Sequence, residues 1–161
     1  MTTQLERPAP AIRTTSLERG TFLTTDLAAT RRLLEEGLDL ECVRYAKDAM
    51  YARERGHRPG EAKHGQPYLV LDVREVAAIA NPQAMLNHWG VFVDSQSDVD
   101  RAYAGLVENQ ERFGLRVVQK PRAAHGAYSF YFADRDNNWW EVEHRITKKQ
   151  YETLRALGDA V

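Results

Sequence analysis

The chain of 161 residues contains a single cysteine, Cys42, so no intramolecular disulfide can close. That usage suits a reducing compartment, and cytoplasmic residence is the expectation. No apolar run approaches the roughly 18 residues a spanning helix needs, so no membrane partner is expected. Charge of either sign is not in excess: 22 Lys and Arg stand against 23 Asp and Glu, a net charge of −1. Nucleic acid is therefore not expected as a partner on electrostatic grounds, and a small molecule is. The opening stretch "MTTQLERPAPAIR" lacks the apolar core of a signal peptide. Its two prolines and absent periodicity predict a loose arm over residues 1–13.

A hydrophobic fraction of 43% supports a substantial core. "LERGTFLTT" reads as a strand and "DLAATRRLLEEG" as a helix, with Asp26 as N-cap and Gly37 at the C-terminal end. "LECVRYA" and "AMYARER" alternate as strands about a turn at Lys47-Asp48. "GHRPGEAKHG" is a loop and "YLVLDVRE" a strand. The pattern then restarts. "NHWGVFVDS" is a strand, and "SDVDRAYAGLVENQERFG" is a helix with a capping box of Ser97 and Asp100. Val99, Ala102, Tyr103, Leu106 and Val107 give it a helical apolar stripe. "LRVVQK", "AYSFYFA" and "WWEVEHR" are strands, the last two joined by "DRDNN", where Asn137 or Asn138 can take positive φ. "TKKQYETLRALG" predicts a C-terminal helix within residues 147–161.

The repetition is visible in letters. Leu17-Glu18-Arg19 opens one half and Leu86-Asn87-His88 the other, and "HGQPYLVLD" at 64–72 echoes "HGAYSFYFAD" at 125–134. The fold class expected is α+β: two βαβββ modules, residues 14–77 and 84–146 about a linker at 78–83. Neither curved sheet buries its own face alone, so the pair is expected to form a half-barrel around a central cavity.

Strand alternation places Trp139, Glu141 and Glu143 on one face of the last strand, and Trp140, Val142 and His144 on the other. A carboxylate inside so apolar a strand either faces solvent or faces a cation. If His88 shares that face, the two make a His/carboxylate pair, which is ligand chemistry for Fe(II), Mn(II), Zn(II) or Ni(II). A core His88 with a solvated Glu141 is the plain alternative. Tyr131 and His125 lie on the neighbouring strand and at its entrance. They are candidates for oxyanion stabilisation and proton relay, or for core packing and turn capping. Phe92 and one ring of the Trp139-Trp140 pair are candidates for a substrate wall.

Two βαβββ modules, with His88 opening the second and Phe132, Asp134, Asp136, Asn138 and Glu141 closing it, resemble the vicinal oxygen chelate superfamily. That group includes glyoxalases, fosfomycin and bleomycin resistance proteins and extradiol dioxygenases. The common closing motif, F-x-D-P-D-G-N-x-x-E, here has Arg135 and Asn137 in the Pro and Gly places. The resemblance implies that His88 and Glu141 are metal ligands, with Fe(II) or Mn(II) favoured over Zn(II) or Ni(II), and that the chain is a homodimer. It implies dioxygenase-like cleavage of a small aromatic diol, with His125 as acid/base and Tyr131 as oxyanion donor. A glyoxalase-like lyase or isomerase and a metal-free drug-binding protein are the alternatives. One departure matters: Arg19 stands where the family keeps its first metal-binding histidine, and a guanidinium cannot ligate a metal. Three readings follow. Asp72, His125 or His64 supplies a third ligand; Arg19 replaces the metal through a salt bridge to Glu141; or Arg19 binds an anionic substrate group.

Overall fold

A computed structural model describes residues 19–56 and 70–145. The arm at 1–13, His64 and the helix expected within 147–161 lie outside the described residues.

The first module runs β1 (Arg19–Thr24), α1 (Leu27–Arg32), β2 (Leu40–Ala46), β3 (Ala49–Glu54) and β4 (Val70–Glu75). Its sheet has the order β1-β4-β3-β2, with β1 parallel to β4 and the other pairs antiparallel. Asp26 caps α1 as expected, its carboxylate accepting from Ala29 N at 2.9 Å. The helix then loosens into a π-helical turn over Leu33–Gly37, which buries both Leu33 and Leu34.

The second module runs β5 (His88–Phe92), α2 (Gln96–Glu108), α3 (Gln110–Phe113), β6 (Val117–Val118), β7 (Arg122–Ala124), β8 (Ala127–Ala133) and β9 (Trp139–Arg145). Its sheet is β5-β9-β8-β6, with β7 also on β8 and β5 parallel to β9. Ser95, not Ser97, caps α2 and bonds Asp98 N, so the capping box sits two residues earlier than expected. The expected continuous helix breaks at Asn109, and Gly114 ends α3 with φ of 65°. Val107 is 43% exposed, leaving Val99 and Leu106 as the buried stripe. The stretch "LRVVQK" supplies only two strand residues. The remaining pairing falls to β7, which turns into β8 through His125 and Gly126, both at positive φ. That two-residue, doubly left-handed turn is the type I′ geometry matched to sheet twist.

The duplication is therefore one of topology. The "HGQPYLVLD" and "HGAYSFYFAD" echo joins strands that are not equivalent. Val70–Asp72 lies on β4, beside the first strand of its sheet, whereas 127–133 is β8, one strand further in. The strand of the second module equivalent to β4 is β9, which likewise lies beside the first strand of its sheet.

Alternation sets which faces are buried. Phe130 and Phe132 on β8 and Trp140 and Val142 on β9 are sealed under α2, while Tyr131, Glu141 and Glu143 face away. Each of those large side chains contributes about 1.5–3 kcal/mol by leaving water. The modules meet where Phe22 of β1 packs edge-on against Trp140 at 5.9 Å and tilts against Trp89 at 6.4 Å. Gly20 permits that approach, since a Cβ there would lie 2.4 Å from Trp89 Cη2. No described helix is long and apolar enough to cross a membrane.

Candidate metal and substrate site

Parallel pairing of β5 with β9 sets His88 opposite Trp139 and Gly90 opposite Glu141, so His88 and Glu141 share a face two positions apart. Their side chains meet with Nε2 3.1 Å from Oε2, both largely screened from solvent. The other ring nitrogen, Nδ1, lies 2.8 Å from the Met85 carbonyl oxygen. A carbonyl only accepts, so Nδ1 carries a proton and donates it. In the neutral ring Nε2 is then a lone pair aimed at a carboxylate oxygen. Two acceptors that close repel unless a cation lies between them, either a second ring proton or a metal ion.

Tyr131 completes the arrangement. β8–β9 pairing puts it directly opposite Glu141, and its ring stands edge-on to His88 with centroids 5.0 Å apart. Burial, the hydrogen-bonding pull of the Glu141 carboxylate opposite it and the charges of Glu141 and Glu143 push its pKa up to about 12, so it stays a donor at neutral pH. These residues face a cavity of about 200 Å³ that His125, Arg122, Ser129 and Glu143 also line. His125 reaches its wall from the β7–β8 turn at φ of 52°, a left-handed conformation that His tolerates better than most residues. Burial and the neighbouring Glu141 raise the Glu143 carboxyl above the usual range, against the opposing charge of Arg145. Neither Glu143 nor Arg122 had an assigned role in the sequence. Glu143 shares a strand face with Glu141, but the approach of Arg122 depends on β7, which the residue pattern does not reveal.

The other candidates lie elsewhere. Arg19 reaches Asp72 at 3.9 Å and does not line this cavity; the carboxylate beside it is that of its own module, not Glu141. Asp72 is 1% exposed and held by Arg74 Nη2 at 2.9 Å and the Tyr45 hydroxyl at 2.6 Å. Burial alone would raise its pKa, but those hydrogen bonds and the charges of Arg74 and Arg19 outweigh it and hold it below the usual value. Phe92 is 48% exposed with Arg145 stacked 3.9 Å over its ring. Trp139 is half-buried on the Glu141 face but does not line the cavity. Among the described residues, no third His, Cys, Asp or Glu gathers with His88 and Glu141 into a metal-holding group.

The closing motif acts mainly as a joint. Asp134 is buried and accepts from Asp136 N and Asn138 N, folding the turn on itself, with Asn137 at φ of 66°. Asp136 then crosses to the first module, bonding the Thr24 hydroxyl at 2.7 Å, Thr25 N at 2.9 Å and the Thr25 hydroxyl at 2.6 Å. Asn138 donates to the Leu23 carbonyl, and Arg135 pairs with Asp26. Of the motif residues, Glu141 faces the cavity, Asp134 shapes the turn, and Asp136 and Asn138 fasten the modules.

The fold has counterparts among solved structures. A possible glyoxalase from Bacillus cereus superposes with a TM-score of 0.62 at 20% identity, covering 81% of this chain and all of that one. The fosfomycin resistance protein FosX from Mesorhizobium loti gives 0.56 at 23% identity over 84% and 95% of the two chains. FosX from Listeria monocytogenes, in a complex with Mn(II) and sulfate, gives 0.62 at 16% identity over 89% and 100%. A comparison with curated proteins returns no match. The family model described as Glyoxalase/Bleomycin resistance protein/Dioxygenase superfamily matches residues 17–142. The chain belongs to that superfamily.

Proposed function

We propose that the chain is a divalent-metal-dependent enzyme acting on a small, polar, oxygen-bearing molecule, with His88 and Glu141 as its two metal ligands. The observation that supports this most is the pair of acceptors brought together at 3.1 Å while Nδ1 is committed to Met85. A nitrogen and an ionised oxygen suit Mn(II) or Fe(II) first and Zn(II) or Ni(II) next. A bound ion of this kind supplies Lewis acidity to a substrate oxygen. The chain's own residues do the rest. The Met85 carbonyl fixes the imidazole tautomer, and Tyr131 orients the Glu141 carboxylate by donating to it. Arg122 offers the cavity a positive charge for an anionic substrate group, and His125 holds a proton that can move at its imidazole.

Two reaction classes suit these groups. A glyoxalase-like isomerisation, or an addition to a non-aromatic substrate with adjacent oxygens, is favoured by the small volume of the cavity, about 200 Å³, which neither Phe92 nor Trp139 lines. Ring cleavage of an aromatic diol is favoured by His125 and Tyr131 standing on one wall beside His88. The test is turnover after loading with Mn(II), Fe(II), Zn(II) or Ni(II), offering a ketoaldehyde–thiol adduct, a small epoxide and a catechol in air. Metal-dependent conversion of either non-aromatic substrate, lost in His88→Ala, is expected. Oxygen uptake with the catechol alone would select ring cleavage, and sequestration of a compound without turnover or metal would select a binding protein.

A further inference from the structure

Arg122, Ser129 and Glu143 stand at one level of the sheet on three successive strands, β7, β8 and β9. Ser129 pairs with Arg122 on one side and with Glu143 on the other. All three line the His88–Glu141 cavity. Neighbouring strands lie about 4.8 Å apart, so the backbones of Arg122 and Glu143 flank Ser129 across about 10 Å. Tyr131 and Glu141 pair one level along, about 7 Å away. A ligand that touches the His88–Glu141 pair therefore extends over this row.

The row is chemically unfinished. Among the described residues, neither the Arg122 guanidinium nor the Ser129 hydroxyl has a hydrogen bond or an ion pair, although Ser129 is only 4% exposed. The Glu143 carboxylate accepts no hydrogen bond from a described side chain. Its ion pair with Arg145 Nη2 is long, at 3.9 Å, and that guanidinium also stacks over the Phe92 ring. Buried polar groups are normally matched, so a cation, a hydroxyl and an anion side by side call for a ligand that matches all three. A dianion such as phosphate would meet Arg122 but would also face Glu143 and Glu141. A plain cation would meet Glu143 but would also face Arg122. Only a ligand carrying both signs finds an opposite charge at each end of the row.

We infer that this row recognises the α-ammonium and α-carboxylate of a small zwitterionic amino acid. Glu143 accepts from the ammonium, while Arg122 and the Ser129 hydroxyl donate to the carboxylate. A cavity of about 200 Å³ suits a ligand of that size rather than a peptide. The side-chain oxygen of a hydroxy or oxo amino acid would point along the strands toward His88 and Glu141. That last element rests on the metal reading above, whereas the matching of charges by the row does not.

The test is an NMR titration of the EDTA-treated full chain with L-threonine, 3-hydroxybutyrate and 1-aminopropan-2-ol, followed at the Ser129 and Glu143 amides. The last two compounds are threonine without its ammonium and without its carboxylate. Threonine is expected to bind saturably, and each analogue about tenfold more weakly or worse. Glu143→Gln is expected to abolish the preference over 3-hydroxybutyrate, and Arg122→Gln the preference over 1-aminopropan-2-ol. Inorganic phosphate is expected to bind more weakly than threonine. Absence of saturable threonine binding, equal binding of either analogue to the wild type, or tighter binding of phosphate would overturn the inference. If a glutamine variant fails to fold, the wild-type comparison of the four compounds still decides it. The preference in the metal-free chain supports the assignment whatever Mn(II) does, and Mn(II) affinity, measured separately, decides the metal reading.

Discussion

Arg19 and His88 hold the same place in the two modules. Arg19 pairs with Val70 and Thr21 with Asp72 across β1 and β4; His88 pairs with Trp139 and Gly90 with Glu141 across β5 and β9. On the next strand Tyr51 lies opposite Asp72 as Tyr131 lies opposite Glu141. One register therefore presents a cation-bearing side chain, a carboxylate and a tyrosine twice. In the first module the carboxylate is occupied by the guanidinium groups of Arg74 and Arg19 and by the phenol of Tyr45 rather than that of Tyr51. In the second it faces an imidazole nitrogen with no proton of its own to give in the neutral ring.

Removing the Tyr131 hydroxyl leaves the fold but loosens the Glu141 carboxylate. Tyr131→Phe is expected to weaken divalent-metal affinity by about 10–100-fold, with an unchanged circular dichroism spectrum. Calorimetric titration checks this, and wild-type affinity in the variant would show that the hydroxyl does not position Glu141.

Asp72 is expected to stabilise the first module through charge. Its native pKa lies below its ordinary value, so its contribution is complete above the unfolded pKa near 3.9 and is lost as pH falls through the lower native value. Asp72→Asn is expected to cost about 1–3 kcal/mol at neutral pH, because it leaves Arg74 and Tyr45 facing an uncharged amide. Urea denaturation of both proteins between pH 7 and pH 2.5 should show the gap closing only below about pH 4. A gap that stays constant to pH 2.5 contradicts the assignment.

Asp136 is expected to hold the modules together. Asp136→Ala removes three hydrogen bonds to Thr24 and Thr25 and is expected to cost about 1–3 kcal/mol. Hydrogen exchange should accelerate at the Thr25 amide more than at amides within β8. Equal acceleration everywhere would mean that the turn supports the fold globally rather than at the joint.

Much of this architecture is written in residue pattern. Alternation along "WWEVEH" separates Trp140 and Val142 from Glu141 and Glu143, and the parallel β5–β9 pairing does bring His88 to Glu141. Asp72 stands in the register of its sheet where Glu141 stands in the other, each two positions along from Arg19 and His88. What the letters hid depends on contacts distant in sequence. Arg19 turns to Asp72 because that carboxylate lies on the adjacent strand. The commitment of His88 Nδ1 to Met85 is a backbone matter that side-chain identity does not announce. Tyr51 matches Tyr131 only after register is known, since the spacing between strands differs in the two halves. Arg122 joins the cavity because a short strand forms where composition shows only a break.

Metal stoichiometry and affinity in wild type, His88→Ala and Glu141→Ala test the central claim most directly, measured by calorimetry with Mn(II) and by elemental analysis of the purified proteins. The expected result is about one ion per wild-type chain, with affinity reduced at least tenfold in each variant and folding preserved. Less than one ion in all three proteins, or equal binding in all three, would contradict it and leave the His88–Glu141 contact as an imidazolium–carboxylate ion pair.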